Sequence, residues 1–154
     1  MEYEIVELEE KVVEGIVVKT TNENGKSMQD IANMWQAFFT QGVYEKIENK
    51  VNGKTIGLYT DYEKDYTKPY NFMVCTEVSK QSGNTENRVV KIIPKGKYAK
   101  FVIHGDIQNA VGKAWGEIWN MDLNRKYTCD FEEYQNNSSD MQNQEIHIYI
   151  AIED

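Results

Sequence analysis

The stretch KQSGNTEN, residues 80–87, divides the chain into two parts that read alike. It is polar and rich in turn formers, and it separates two runs of apolar periodicity. After it, Arg88–Ile93 leads through the turn Pro94-Lys95-Gly96 into Lys97–His104 (KYAKFVIH), a pair of strand signals. Asp106 is placed to cap a helix over Ile107–Met121. Tyr127–Tyr134 (YTCDFEEY) reads as a strand and Gln135–Asn143 as a polar loop. Glu145–Ile152 (EIHIYIAI) closes the chain with Ile146, Ile148, Ile150 and Ile152 on one strand face. Before the divide the same order appears. Glu4–Lys19 is rich in Val and Ile, and Gly15 marks a bend. Met28, Ile31, Ala32, Trp35, Phe38 and Phe39 recur at helical spacing, which predicts a helix over Met28–Thr40 with Ser27 as its cap and Gly42 as its stop. Thr55–Tyr62 and Tyr70–Val78 follow as strands. Each half is strand, helix, strand, strand.

The expected fold is therefore α+β, a duplicated β-α-β-β unit in one domain over residues 1–154. The first repeat covers about 1–79 and the second about 88–154. Antiparallel strands with helices on one face would bury the apolar side of each unit. The halves share one sheet or pack as two related sheets.

Bulk properties narrow the function. A chain of 154 residues can bury a real core. No apolar run reaches the roughly 20 residues that cross a bilayer, and Met1-Glu2-Tyr3-Glu4 lacks the basic start of a signal peptide, so a cytoplasmic location without membrane association is expected. The net charge of −8 opposes a phosphate backbone, and the lysines are scattered, so direct nucleic-acid binding is not expected. Cys75 and Cys129 fall within strands and read as buried free thiols. His104 and His147 are too few and too separated for a zinc motif, and no metal or other cofactor is called for.

Ten tyrosines and three tryptophans dominate the aromatic content, and these side chains suit pockets for flat or cationic organic molecules. Alternation along YTCDFEEY puts Thr128, Asp130, Glu132 and Tyr134 on one face and Tyr127, Cys129 and Phe131 on the other. If Phe131 packs under the helices, Glu132 and Tyr134 share the open face with Tyr149, and Tyr59 joins them. A slip of one residue in register reverses this arrangement. On the second helix Trp115 and Trp119 flank the apolar stripe, where either can wall a cleft, whereas Trp35 lies inside the stripe of the first helix and reads as core. The run Asp61-Tyr62-Glu63-Lys64-Asp65-Tyr66 reads as an exposed strand end and loop.

Several segments together resemble the GyrI-like small-molecule-binding domain, the effector module of multidrug-responsive and some AraC-type transcription regulators. They are Ile31–Phe38 (IANMWQAF), Gly57–Tyr62 (GLYTDY), Phe72–Val78 (FMVCTEV), Ile93–Phe101 (IPKGKYAKF), the helix with Trp115 and Trp119, Asp130–Tyr134 (DFEEY) and Ile146–Ile150 (IHIYI). The resemblance implies pseudo-twofold symmetry with a ligand groove between the halves. It implies that the glutamate of the Phe-Glu-x-Tyr pattern, Glu132 and not Glu133, meets cationic lipophilic ligands there. It adds Trp119, Tyr59, Tyr149 and Tyr70 as lining. The candidate ligand-binding residues are thus Glu132, Trp119, Tyr59, Tyr149, Tyr134, Tyr70 and Trp115. Some relatives hydrolyse cyclopropane-bearing compounds, and in that case Glu132 would be the general acid or base. Gyrase inhibition is a further activity of the family, which makes a protein partner such as gyrase an alternative. No helix-turn-helix precedes Met1–Lys19, so a stand-alone binding protein for a small organic ligand is expected.

Overall fold

The computed structural model describes residues 1–154. The strands are β1 (Glu4–Leu8), β2 (Lys11–Thr20), β3 (Thr55–Thr60), β4 (Tyr70–Val78), β5 (Val89–Ile93), β6 (Gly96–Gly105), β7 (Arg125–Tyr134) and β8 (Gln144–Ile152). The helices are α1 (Lys26–Thr40), α2 (Val43–Lys46) and α3 (Ile107–Trp119). All eight strands form one antiparallel sheet in the order β1-β6-β8-β7-β3-β4-β2-β5. Pairing each element of the first half with its counterpart in the second turns this order into its own mirror image. The central pair β3–β7 is the seam of a pseudo-twofold arrangement, and the halves share one sheet.

The segment expected as one strand, Glu4–Lys19, is two strands that part company. β1 leaves its own half and pairs with β6, while β5 pairs with β2 in return. Only Glu9-Glu10 joins β1 to β2, and only Pro94-Lys95 joins β5 to β6. In a flat sheet β1 and β2 would lie six strand spacings apart, roughly 29 Å. Two linking residues reach only about 11 Å between the strand ends, so the sheet has to curl. Its inner face is then buried without any helix over it. Val13, Ile56, Leu58, Met73, Ile93, Tyr98 and Phe131 form one apolar cluster there, and Cys75 and Cys129 are buried free thiols within it. At the bend Gly15 lies so close to β4 that a Cβ would stand 1.9 Å from the Val74 carbonyl oxygen, so only glycine fits.

The helices cover the other face. α1 packs on β2 and β4, and α3 on β6 and β8. Ile146, Ile148 and Ile150 meet Ala114, Trp115 and Ile118 of α3, as the strand pattern predicts. Asp106 caps α3, accepting the Asn109 amide at 2.9 Å. α1 differs from expectation at its start. It begins at Lys26 after a left-handed Gly25, and Ser27 lies inside the first turn with no capping bond. Gly42, also left-handed, follows its end and introduces the short α2.

Residues 80–87 are pinned rather than loose. Glu14, fully buried in β2, accepts the Ser82 amide (3.0 Å), the Ser82 hydroxyl (2.8 Å) and Arg88 Nε (2.8 Å). Burial pushes its pKa up, but the Ser82 amide and Arg88 outweigh that and hold the carboxyl below its ordinary 4.5. A lowered folded pKa means that the stabilisation is complete above the ordinary value and is lost as pH falls through the lowered one. Glu14→Gln is therefore expected to cost about 3 kcal/mol at neutral pH, because it leaves the buried Arg88 without its anion, and to cost less in acid. Thermal melts at pH 7 and pH 3 check this, and a penalty that grows in acid would contradict it.

Candidate functional site

Because each helix covers the outer strands of its own half, the β3–β7 seam is left as the floor of a gap between them. A cavity of about 640 Å³ fills that gap, lined by 19 residues of which 13 are hydrophobic. The two helices line it in matched positions at a constant sequence offset. Ser27, Met28, Ile31, Ala32 and Trp35 of α1 correspond in order to Ile107, Gln108, Val111, Gly112 and Trp115 of α3.

Glu132 stands on the floor and is 1% exposed. Tyr59 Oη donates to its Oε2 at 2.7 Å, Trp115 Nε1 donates to the same oxygen at 2.6 Å, and Tyr134 Oη donates to Oε1 at 2.7 Å. Burial raises its pKa above the ordinary 4.5, against the opposing pull of Tyr59, Trp115 and Tyr134. No cationic side chain forms an ion pair with it, and Arg125, the cationic residue of the lining, is bound to Asp130. The carboxylate is thus satisfied in hydrogen bonds and unsatisfied in charge, a costly state for a buried ion.

Room for this carboxylate depends on Gly57, its cross-strand partner on β3. A Cβ at Gly57 would stand 2.9 Å from Glu132 Oε1 and 3.2 Å from the Phe72 ring. Gly57→Ala is expected to push the carboxylate a few tenths of an ångström off its position and to lengthen its hydrogen bonds. A cation bound against it should lose about tenfold in affinity, while the fold persists because the shift is a few tenths of an ångström. Binding calorimetry beside a melting curve checks this. Unchanged affinity in a folded variant would count against it.

Most of the residues singled out from sequence come together here. Tyr70 lines the wall with its hydroxyl donating to Asn22 Oδ1 at 2.6 Å, and its ring lies 5.7 Å from Tyr59. Trp119 stands at the end of α3, 41% exposed, stacked on Tyr66 at 5.4 Å. Tyr149 is not among them. The register pairs Phe131 with Tyr149 and Glu132 with Ile148. Glu132 and Tyr134 therefore share the isoleucine face under the helices, whereas Phe131 and Tyr149 stack at 4.6 Å on the inner face of the curl. Phe131, expected under the helices, lies on the other face, the one-residue inversion that period-two alternation permits.

Four further residues line the cavity against or beyond expectation. Trp35, expected in the core, is half-buried and meets Tyr134 edge-on at 4.9 Å. Tyr62 and Tyr66 belong to a loop read as exposed, yet both face the cavity. Arg125 also lines it and is held by Asp130 at 2.7 Å, while Tyr62 Oη donates to the same carboxylate at 2.6 Å. The matched offset of Trp35 and Trp115 was the available signal for Trp35. Nothing in the sequence marked Arg125, which a strand irregularity carries into place.

Comparison with known proteins accords with this geometry. The family model for the integron-associated effector binding protein matches residues 4–152. YobU of Bacillus subtilis (strain 168), whose name describes it as a transcriptional regulator, is 30% identical over 156 residues, covering 96% of each chain. An integron cassette protein from the mobile metagenome of Vibrio cholerae superposes with a TM-score of 0.79 at 28% identity, over 98% of this chain and 95% of its own. SAV2435, solved bound to tetraphenylphosphonium, has the same fold, with a TM-score of 0.82 at 23% identity over 99% of this chain and 94% of its own. No helix of the chain is long and apolar enough to cross a membrane. The chain belongs to the family of integron-associated effector binding proteins, small-molecule-binding domains of the GyrI-like fold.

Proposed function

We propose that this protein binds lipophilic organic cations in the cavity between α1 and α3, with Glu132 as the countercharge. One observation carries the reading: a buried carboxylate faces an aromatic cavity with three neutral donors and no cation of its own. A lipophilic cation supplies the missing charge and brings little hydration to strip away. The rings of Tyr59, Tyr70, Trp35 and Trp115 offer it π-faces and apolar contact. The neighbour SAV2435 was solved with a ligand of that chemistry. Binding is favoured over hydrolysis because Oε2 accepts two hydrogen bonds and Oε1 one, which leaves the carboxylate a single position toward a proton partner. His147, the other group suited to proton transfer near the centre of the sheet, bonds Glu145 at 2.6 Å and lies on the opposite face.

The test is a thermal-shift comparison of methyltriphenylphosphonium with triphenylphosphine oxide, a near-isostere without net charge. A ligand that binds only the folded state adds about 2.7 kcal/mol of stability at 100 times its Kd. The cation is expected to raise the melting midpoint and the oxide to leave it nearly unchanged. Equal shifts for both would remove the role assigned to the charge.

A further inference from the structure

The cavity presents its aromatic surface twice, once on each side of the carboxylate. Trp35 of α1 packs on Tyr134 (4.9 Å), and Trp115 of α3 packs on Tyr59 (5.0 Å). Both tyrosines donate to Glu132, one to each oxygen. Ile31 and Val111 occupy equivalent positions one turn earlier on the two helices. The charge thus lies at the seam, with an aromatic lobe on either hand.

The carboxylate has little left to give an N–H donor. Oε2 already accepts two hydrogen bonds. Oε1 accepts Tyr134 and lies close above Gly57. Asn22, Tyr70, Tyr62 and Arg125 of the lining are committed as well, whereas Gln108 lies exposed at the start of α3. Asn22 bonds the Tyr66 carbonyl and the Tyr70 hydroxyl, and Tyr62 and Arg125 bond Asp130. An ammonium with N–H groups would give up strong hydration and recover few acceptors.

We propose that the site selects two-armed cations, with aryl groups on both sides of a charged centre that carries no hydrogen-bond donor. This rests on the cation-binding reading above and narrows it to a shape and a charge type. One arm lies against Trp35 and Tyr134, the other against Trp115 and Tyr59. The charge is met through space and through ring faces rather than by a hydrogen bond.

Three probes test it by calorimetry. Dibenzyldimethylammonium has two arms and no donor. Biphenylmethyl(trimethyl)ammonium is its isomer, with both rings on one side. Dibenzylmethylammonium, at a pH where it is protonated, keeps both arms and adds one N–H. The first is expected to bind about tenfold more tightly than either of the others, the effect of one aryl–tryptophan contact or one unreplaced hydrogen bond. Trp35→Ala is expected to collapse the ratio between the two isomers to about twofold. Should that variant not fold, the isomer ratio in the unaltered protein decides alone. Equal affinity for the isomers overturns the two-armed shape, and equal affinity for the protonated amine overturns the exclusion of donors. Binding by none of the three, or binding indifferent to Glu132→Gln, would instead sink the cation-binding reading, and this inference with it.

Discussion

Glu132→Gln is expected to lower the affinity for methyltriphenylphosphonium about 100-fold, or about 2.7 kcal/mol, and to leave a neutral aromatic ligand almost unaffected. The substitution keeps shape and most hydrogen bonds. The amide oxygen can take the place of Oε2 and accept from Tyr59 and Trp115. The amide nitrogen then faces Tyr134, whose hydroxyl can turn to accept. What disappears is the charge. The same change should leave the unliganded protein as stable as before or more so, because an unpaired buried carboxylate is itself destabilising. A large loss of stability, or an equal loss of affinity for charged and neutral ligands, would show that Glu132 serves the fold rather than the ligand.

The pH dependence follows from the same group. Burial raises the Glu132 pKa in the folded protein. The unfolded chain then gives up this proton at lower pH than the folded one. Stability from this residue falls as pH rises from the ordinary value through the raised one, and is level beyond it. Cation affinity runs the other way, since the ligand needs the ionised form, and it should climb over the same window. In Glu132→Gln both trends should be absent. Parallel titrations of the two proteins measure the difference directly.

Much of the fold could be read from the sequence because local signals were strong and independent. The isoleucine row of β8, the helical spacing in α1 and the Asp106 cap each stand without tertiary help. The exchange of β1 and β5 between halves could not be read, because a continuous Val-rich run does not say with which strand it pairs. The acid was legible as Glu132, but its surroundings were inverted. Alternation sorts residues into two faces and is silent about which face receives the helices. The pairing of Phe131 with Tyr149 settles that, and pairing is a long-range property. Tyr62 and Tyr66 were hidden for a different reason. Their charged neighbours Asp61, Glu63 and Lys64 do face solvent, so the segment's composition describes the outside of the loop and not the rings beneath it.

The pair Arg125–Asp130 was invisible for a geometric reason that leads to the second large effect. Five residues along a regular strand lie roughly 17 Å apart and on opposite faces, so nothing in the sequence joins them. In β7 the register shifts between these residues, and Tyr127 takes a positive φ of 56°. The strand doubles its path and brings the Arg125 guanidinium within 2.7 Å of Asp130. Asp130 is fully buried and also accepts Tyr62 Oη and the Ala151 amide. The guanidinium lies 4.2 Å from the Tyr127 ring, so the irregular segment closes over its own ion pair. Arg125→Met would leave Asp130 buried without its cation, at an expected cost of about 3–5 kcal/mol, or about 10 °C in melting midpoint for a chain of this size. Adding Asp130→Asn should recover most of it. The oxygen of the new side-chain amide would still accept the Ala151 backbone amide, and its nitrogen would still reach Tyr62. The measurement is a double-mutant cycle on thermal stability. Strictly additive losses would mean that the bulge is held by backbone geometry alone. Recovery in the double variant would show that Arg125 is needed to balance the buried Asp130 charge, and retained cation binding would show that neither charge bears on the ligand.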